Sequence, residues 1–203
     1  MSYYHIHLSD IVDTLGEDAA KKLLSDFSCP KNKDVENFLK TKALPMVPQQ
    51  VAPTYLIFTE YKNQKVLVGY FTLTTKFIKV SKTNLSSRWK RRLNKYFSYD
   101  GDTKEYYMSA PLIAQLGKNF TNEYNKLITG DELLKIACEQ VREAQSILGG
   151  KFIYLECEDK SKLVEFYESN GFFEFGKREI EEAEKDVLDG KYLIQMGKYL
   201  SDK

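Results

Sequence analysis

The sequence predicts a mixed α+β (α/β) fold, and three observations predict it. Short runs rich in β-branched and aromatic residues recur at Thr54–Tyr61, Lys65–Lys76, Tyr106–Leu116, Lys151–Cys157 and Tyr192–Met196. Segments with apolar residues at helical spacing lie between them, the longest from Thr129 to Leu148. The stretch KFIYLECEDKSKLVEFYESNGFFEFG, residues 151–176, compresses strand, helix and strand into one run with almost no slack. A chain of 203 residues suits a single domain spanning 1–203, large enough to bury a substantial core.

Tyr3 to Leu8 reads as an opening strand, with His5 and His7 sharing a face. Two histidines at that spacing could ligate a metal, but no third ligand accompanies them and an edge strand accounts for both; no metal is expected. Ser9 or Asp10 caps a short helix ending at Gly16, and a second helical piece runs to Phe27 with Ala19, Ala20, Leu23 and Leu24 inward. Cys29-Pro30 breaks it. Lys33 to Leu44 is amphipathic, with Val35, Phe38 and Leu39 on its apolar side, and Pro45, Pro48 and Pro53 mark an exposed connection. The next two strands form a hairpin around Lys62-Asn63-Gln64.

Residues 81–99 carry Trp89, Leu93 and Tyr96 on one helical face, surrounded by Arg88, Lys90, Arg91, Arg92 and Lys95. Such a helix can rest its aromatic side on a sheet and offer cations to phosphates, and it belongs to a basic insertion at about 81–104. A solvated insertion is the plainer account. Pro111 cannot donate to a sheet ladder, so it marks a bulge or strand entry within Tyr106–Leu116. Thr129-x-x-Glu132 is a capping box, and the helix behind it has a continuous apolar stripe through Leu133, Leu134, Ala137, Val141, Ala144 and Leu148. Asp159 can cap the next helix, which places Leu163, Phe166 and Tyr167 on one face, and Asn170-Gly171 closes it. Asp189-Gly190 turns the chain into the last strand.

Net charge is +1, yet residues 62–99 contain ten Lys and Arg and no Asp or Glu. A one-signed segment in a neutral protein attracts anions. The three cysteines are odd in number and unpaired by any motif, which points to buried thiols in a reducing compartment. The N-terminus lacks the basic start and apolar run of a signal peptide, and no apolar run is long enough for a spanning helix, so a cytoplasmic protein without membrane contact is expected. Oligomerisation is left open.

The segment Phe166-Tyr167-Glu168-Ser169-Asn170-Gly171-Phe172 resembles the FYxxxGF segment of the GCN5-related N-acetyltransferases, GNAT enzymes that use acetyl-coenzyme A. Phe27 to Cys29, Val35 to Leu39 and Gly69 to Leu73 are similar to segments of the branch that includes toxins acetylating aminoacyl-tRNA. Together the likeness covers most of the chain. It implies the GNAT fold, a mostly antiparallel mixed sheet splayed between the fourth and fifth strands and flanked by helices, with the pantetheine arm of acetyl-CoA in the opening. It implies backbone contacts to the arm at Leu116, Gly117 and Lys118, and Tyr167 as the proton donor to the departing thiolate.

The same resemblance places a pyrophosphate loop over Asn125, Lys126, Ile128, Thr129, Gly130 and Asp131. Only Gly130 matches the family's glycine pattern strictly, and Ile128 stands where a glycine would let the backbone approach closely. The implied reaction is direct transfer of acetyl to a primary amine on a small-molecule or macromolecular acceptor. Glu156 or Glu158, alternating with Cys157 at the end of the fifth strand, is the candidate base. Two further readings stay open: a toxin acetylating the α-amine of aminoacyl-tRNA, with RNA contact through Arg88, Lys90, Arg91, Arg92 and Lys95, and a non-catalytic binding protein on the same scaffold.

Overall fold

The computed structural model describes residues 2–200 apart from Tyr96 and Val187, and the side chains of Asn84, Arg88, Arg92 and Ala183 also lie outside the described residues. The fold is mixed α+β, with strands paired mostly antiparallel and helices flanking them. The chain divides into two compact units, residues 1–74 with 113–137 and residues 75–112 with 138–203.

In the first unit, β1 (Tyr3–His7), β2 (Thr54–Tyr61) and the start of β3 (Gln64–Ser81) form an antiparallel meander. Tyr61 pairs with Gln64, so the hairpin loop is Lys62-Asn63, one residue shorter than expected. Both residues have positive φ (50° and 62°), which matches the strand twist. A register shift at Ile57/Phe58 skips Val68 in the pairing. The Val68 carbonyl instead accepts from the Asn119 amide at 2.8 Å.

Helix α1 (Leu8–Leu15) starts differently from expectation: the His7 ring nitrogen accepts from the Ser9 amide, so His7 is the cap rather than Ser9 or Asp10. Helix α2 (Glu17–Ser25) buries Ala20 and Leu24 while Ala19 is exposed. The third helical segment has three parts: α3 (Lys33–Asn37), a π turn over Phe38–Lys42, and α4 (Ala43–Met46). Pro45 explains the break, because it has no amide to give the Thr41 carbonyl and its ring crowds that position; the wider turn just before it absorbs the misfit. Leu8, Leu24, Phe27, Val35, Leu39, Leu56 and Tyr70 are buried together as the core of this unit. Tyr70 is wholly buried and satisfied, its hydroxyl donating to the Val35 carbonyl at 2.6 Å.

Glu36 ties this core to the Cys29 turn. Its carboxylate accepts from Lys40 Nζ at 2.8 Å and from the Cys29 amide at 2.7 Å, and those bonds, the lysine first, hold its pKa below the usual carboxylate value. A depressed folded-state pKa contributes stability above the unfolded value of about 4.3 and loses it as pH falls toward the folded value. Acid unfolding monitored by circular dichroism is therefore expected to be less steep below about pH 4.3 in Glu36→Gln than in the wild type.

In the second unit, β6 (Phe152–Glu158), β8 (Tyr192–Tyr199) and β7 (Phe173–Glu179) are antiparallel, with β8 in the middle. The expected basic helix over 81–99 is shorter. β3 continues to Ser81 because Ile78 and Val80 keep alternating into the interior, and helix α5 is confined to Ser87–Leu93. A three-residue strand, β4 (Ser98–Asp100), then pairs with the start of β5 (Glu105–Lys118). Trp89 stacks on Phe173 with ring centroids 3.6 Å apart, as the aromatic face predicted; Tyr96 lies outside the described residues. Helix α6 (Gly130–Leu148), like β3 and β5, begins in one unit and ends in the other. Helix α7 (Ser161–Ser169) completes the fold; its cap residue is Lys160, whose side chain makes no capping bond, and Asp159 instead faces Lys177 at 3.5 Å.

Candidate active site

The candidates for coenzyme binding fall in the first unit. Leu116, Gly117 and Lys118 are the last three residues of β5. Gly117 is required by packing: a Cβ there would sit 2.3 Å from Val35 Cγ1. Val35 cannot retreat easily, since it is buried and its carbonyl is held by Tyr70. Gly117→Ala is expected to lower the unfolding free energy by about 1–3 kcal/mol, read as a lower urea midpoint at unchanged slope.

Lys118, expected to meet the pantetheine arm through its backbone, uses its side chain within the following loop. Its ammonium donates to the carbonyls of Asn125 (3.0 Å) and Ile128 (3.1 Å), so it braces the loop internally. Burial lowers its pKa, with Lys31 adding to the effect. The loop contains a 3-10 turn over Thr121–Lys126 with Asn122 and Glu123 at positive φ (49° and 61°). Ile128 is buried, which explains an apolar residue there: it anchors the loop to the core. Lys126 is exposed and pairs with Glu123.

The capping box forms as the sequence predicts. The Thr129 amide donates to Glu132 at 2.8 Å and the Glu132 amide to Thr129 Oγ1 at 3.1 Å. Asp131 and Glu132 occupy the first turn of α6, where they stabilise the helix dipole. Gly130 opens that helix, so the backbone at its N-terminus, rather than a lysine, is the feature suited to an anion.

Asn119 is the residue that sequence reasoning missed. It is 3% exposed, and its Oδ1 accepts from the Ser28 and Thr121 amides, both at 3.1 Å. Its Nδ2 donates to the Leu67 carbonyl at 2.9 Å. The side chain thus joins the Phe27–Cys29 turn, β3 and the end of β5. Two of its three partners are 91 and 52 residues away in sequence, so no local pattern announces them.

In the second unit, Tyr167 lies on the inner face of α7 and is 8% exposed. Phe166 and Phe172 meet its ring edge-on at 5.0 and 5.9 Å. The helix ends as expected: Gly171 has φ +81°, its amide bonds the Glu168 carbonyl, and the Phe172 amide returns to the Tyr167 carbonyl at 3.0 Å. Burial, and secondarily Cys157, pushes the phenol pKa well above its usual value, so the proton stays on oxygen at neutral pH. Burial raises the Cys157 thiol to about 12, with neighbouring carboxylates adding to the shift. That thiol is no nucleophile at neutral pH.

Both candidate bases are engaged. Glu156 accepts from Arg178 Nε at 2.8 Å and from Gln195 at 3.0 Å, and Arg178 also grips Glu184. Glu158 accepts from Lys160 through both oxygens at 2.9 Å. Among the basic residues offered for RNA contact, Arg91 and Lys95 are exposed and Lys90 is half-buried; the Arg88 and Arg92 side chains lie outside the described residues. Among the described residues no helix is long and apolar enough to cross a membrane.

No family model matches the sequence, and no curated protein is significantly similar to it. Solved structures are. AtaT complexed with acetyl-methionyl-tRNAfMet superposes with a TM-score of 0.61 at 18% identity, over 95% of this chain and 94% of that one. A tyrosine-to-phenylalanine mutant of KacT gives 0.61 at 15% identity, over 96% and 94% of the two chains. A tyrosine-to-phenylalanine mutant of the AtaT toxin, bound to the C-terminus of the antitoxin AtaR and acetyl-CoA, gives 0.57 at 15% identity, over 96% and 92%. At these identities the likeness is one of fold, and it agrees with the mixed α+β architecture that the sequence predicts.

Proposed function

We propose that this chain, which has the GNAT fold, is an acetyl-CoA-dependent N-acetyltransferase acting on a primary amine by direct transfer. The observation that carries the proposal is the nearly full-length likeness to a toxin structure holding acetyl-CoA, in a chain that keeps a buried, neutral tyrosine before the closing glycine of α7. When bound, acetyl-CoA supplies an activated acetyl group as a thioester.

The backbone of Leu116 and Gly117 at the end of β5 would line up the pantetheine arm, while the N-terminus of α6 at Gly130 would face the diphosphate. The residues fit a backbone-led site, because Lys118 is occupied with its own loop. Tyr167 would deliver its proton to the departing thiolate. With Glu156 and Glu158 in ion pairs, water is the simplest acceptor for the proton of the incoming ammonium. The protonated Cys157 argues against a covalent acyl-cysteine step, in keeping with direct transfer.

The finer reading is a toxin that acetylates the α-amine of aminoacyl-tRNA. What supports it is the structure with acetyl-methionyl-tRNAfMet, matched over 95% of this chain. Charged tRNA incubated with the protein and acetyl-CoA tests it: base hydrolysis of the recovered tRNA is expected to release the N-acetylamino acid. Acetylation of small amines with none on charged tRNA would restrict the chain to the broader activity.

A further inference from the structure

The first strand of the chain touches the loop that precedes α6. Tyr3 of β1 is half-buried, and its hydroxyl donates to the Leu127 carbonyl at 3.0 Å, across 124 residues of sequence. The strand is pinned at that point. Tyr3 pairs with Thr59 of β2, and the buried Thr59 hydroxyl donates to the Ser2 carbonyl at 2.9 Å. Gly69 of β3 lets the first turn of α6 lie close to the same sheet, since a Cβ there would stand 3.3 Å from Leu133 Cδ2. Burial, with the Glu132 carboxylate second, pushes the Tyr3 phenol up to about 12, so the hydroxyl remains a donor through the neutral range.

We propose that Tyr3 is a positioning residue for coenzyme A, acting through Leu127 on the loop that would meet the diphosphate. The proposal rests on the acetyl-CoA reading and deepens it, by naming a residue at the far end of the chain on which cofactor affinity depends. Three carbonyls of the loop are held from outside it: those of Asn125 and Ile128 by Lys118 of β5, and that of Leu127 by Tyr3 of β1. In a trans peptide the carbonyl and the following amide point in opposite directions, so fixing the Leu127 carbonyl fixes the direction of the Ile128 amide. Direction matters here more than charge. Asp131 and Glu132 stand in the first turn of α6 and repel an anion, Lys126 pairs with Glu123, and the Lys118 ammonium is engaged by the loop itself. A diphosphate must then be held chiefly by well-aimed backbone amides, and without Tyr3 their placement would depend on Lys118 alone.

Isothermal titration calorimetry of the full chain with coenzyme A tests the brace. Tyr3→Phe removes only the hydroxyl and should weaken binding about five-fold. KM for acetyl-CoA, with a small amine as acceptor, should rise by a similar factor at unchanged kcat, because the hydroxyl touches the loop and not the reacting atoms. Transfer from S-acetylpantetheine, a donor without the diphosphate, should be the same in both proteins, a distinction that general loosening of the fold would not make. The thermal midpoint should fall by no more than about 2–4 °C. Tyr4→Phe changes the next residue of the strand, which is 43% exposed, and should match the wild type. Equal coenzyme A affinity in the wild type and Tyr3→Phe, or equal losses with acetyl-CoA and S-acetylpantetheine, would overturn the assignment. A wild-type chain that binds no coenzyme A contradicts the acetyl-CoA reading and the brace together, whereas one that binds it equally well without the Tyr3 hydroxyl contradicts the brace alone.

Discussion

Tyr167→Phe is expected to reduce kcat for acetyl transfer by about a hundred-fold to ten-thousand-fold, with little change in acetyl-CoA affinity. The substitution removes one oxygen from a side chain that is 8% exposed and packed edge-on between Phe166 and Phe172, so the ring should remain where it is. Its pKa is raised chiefly by burial, so the phenol stays neutral. The sign of the pH dependence follows. A donor with a raised pKa holds its proton across the neutral range, so the wild-type rate should rise with pH as the acceptor amine loses its proton. Tyr167 should cause no alkaline fall until pH exceeds the ordinary phenol value of about 10. Initial rates by thiol release, at saturating acetyl-CoA, measure both effects. Retention of wild-type kcat in Tyr167→Phe would remove this residue from the mechanism.

Asn119→Ala is expected to have the largest effect on stability. The substitution strands two amides, of Ser28 and Thr121, and the Leu67 carbonyl. A buried polar group left without a partner costs about 1–3 kcal/mol, and partial relaxation of three such groups makes a loss of about 3 kcal/mol reasonable. Asn119 immediately follows Lys118, so the loosened segment is the one proposed to receive the pantetheine arm. KM for acetyl-CoA should therefore rise more than kcat falls. Asn119→Asp keeps the acceptor for both amides and loses only the donor to Leu67, so it should restore part of the stability and of the KM. Chemical denaturation of the three proteins, beside their kinetics, checks the order wild type, Asp, Ala.

The parts of the structure that were legible in the sequence are those fixed by neighbours along the chain. Leu163, Phe166, Tyr167 and Gly171 specify the α7 helix, its inner face and its stop within nine residues, and the structure has that helix over Ser161–Ser169. Thr129 and Glu132 likewise announce their reciprocal bonds. The basic stretch was harder to read because two periods overlap: Ile78 and Val80 alternate as a strand while Trp89 and Leu93 repeat as a helix. The boundary falls after Ser81, so the lysines divide between a sheet face and a short helix.

Features set by long-range register were not legible. Glu156 meets Arg178 because β8 lies between β6 and β7, an order that sequence periodicity does not determine. The bonds of Asn119 and the use of the Lys118 ammonium as a brace belong to the same class. His7 capping α1 is a local feature of a kind rarely assigned to histidine; serine or aspartate is the ordinary choice at that position.

Release of free coenzyme A from acetyl-CoA in the presence of a primary amine is the most direct test of the central claim. The protein should release thiol in proportion to acetylated amine recovered by mass spectrometry, using small amines and charged tRNA as acceptors. Absence of acetyl-CoA binding, or binding with no acetylated product from any amine, would contradict it.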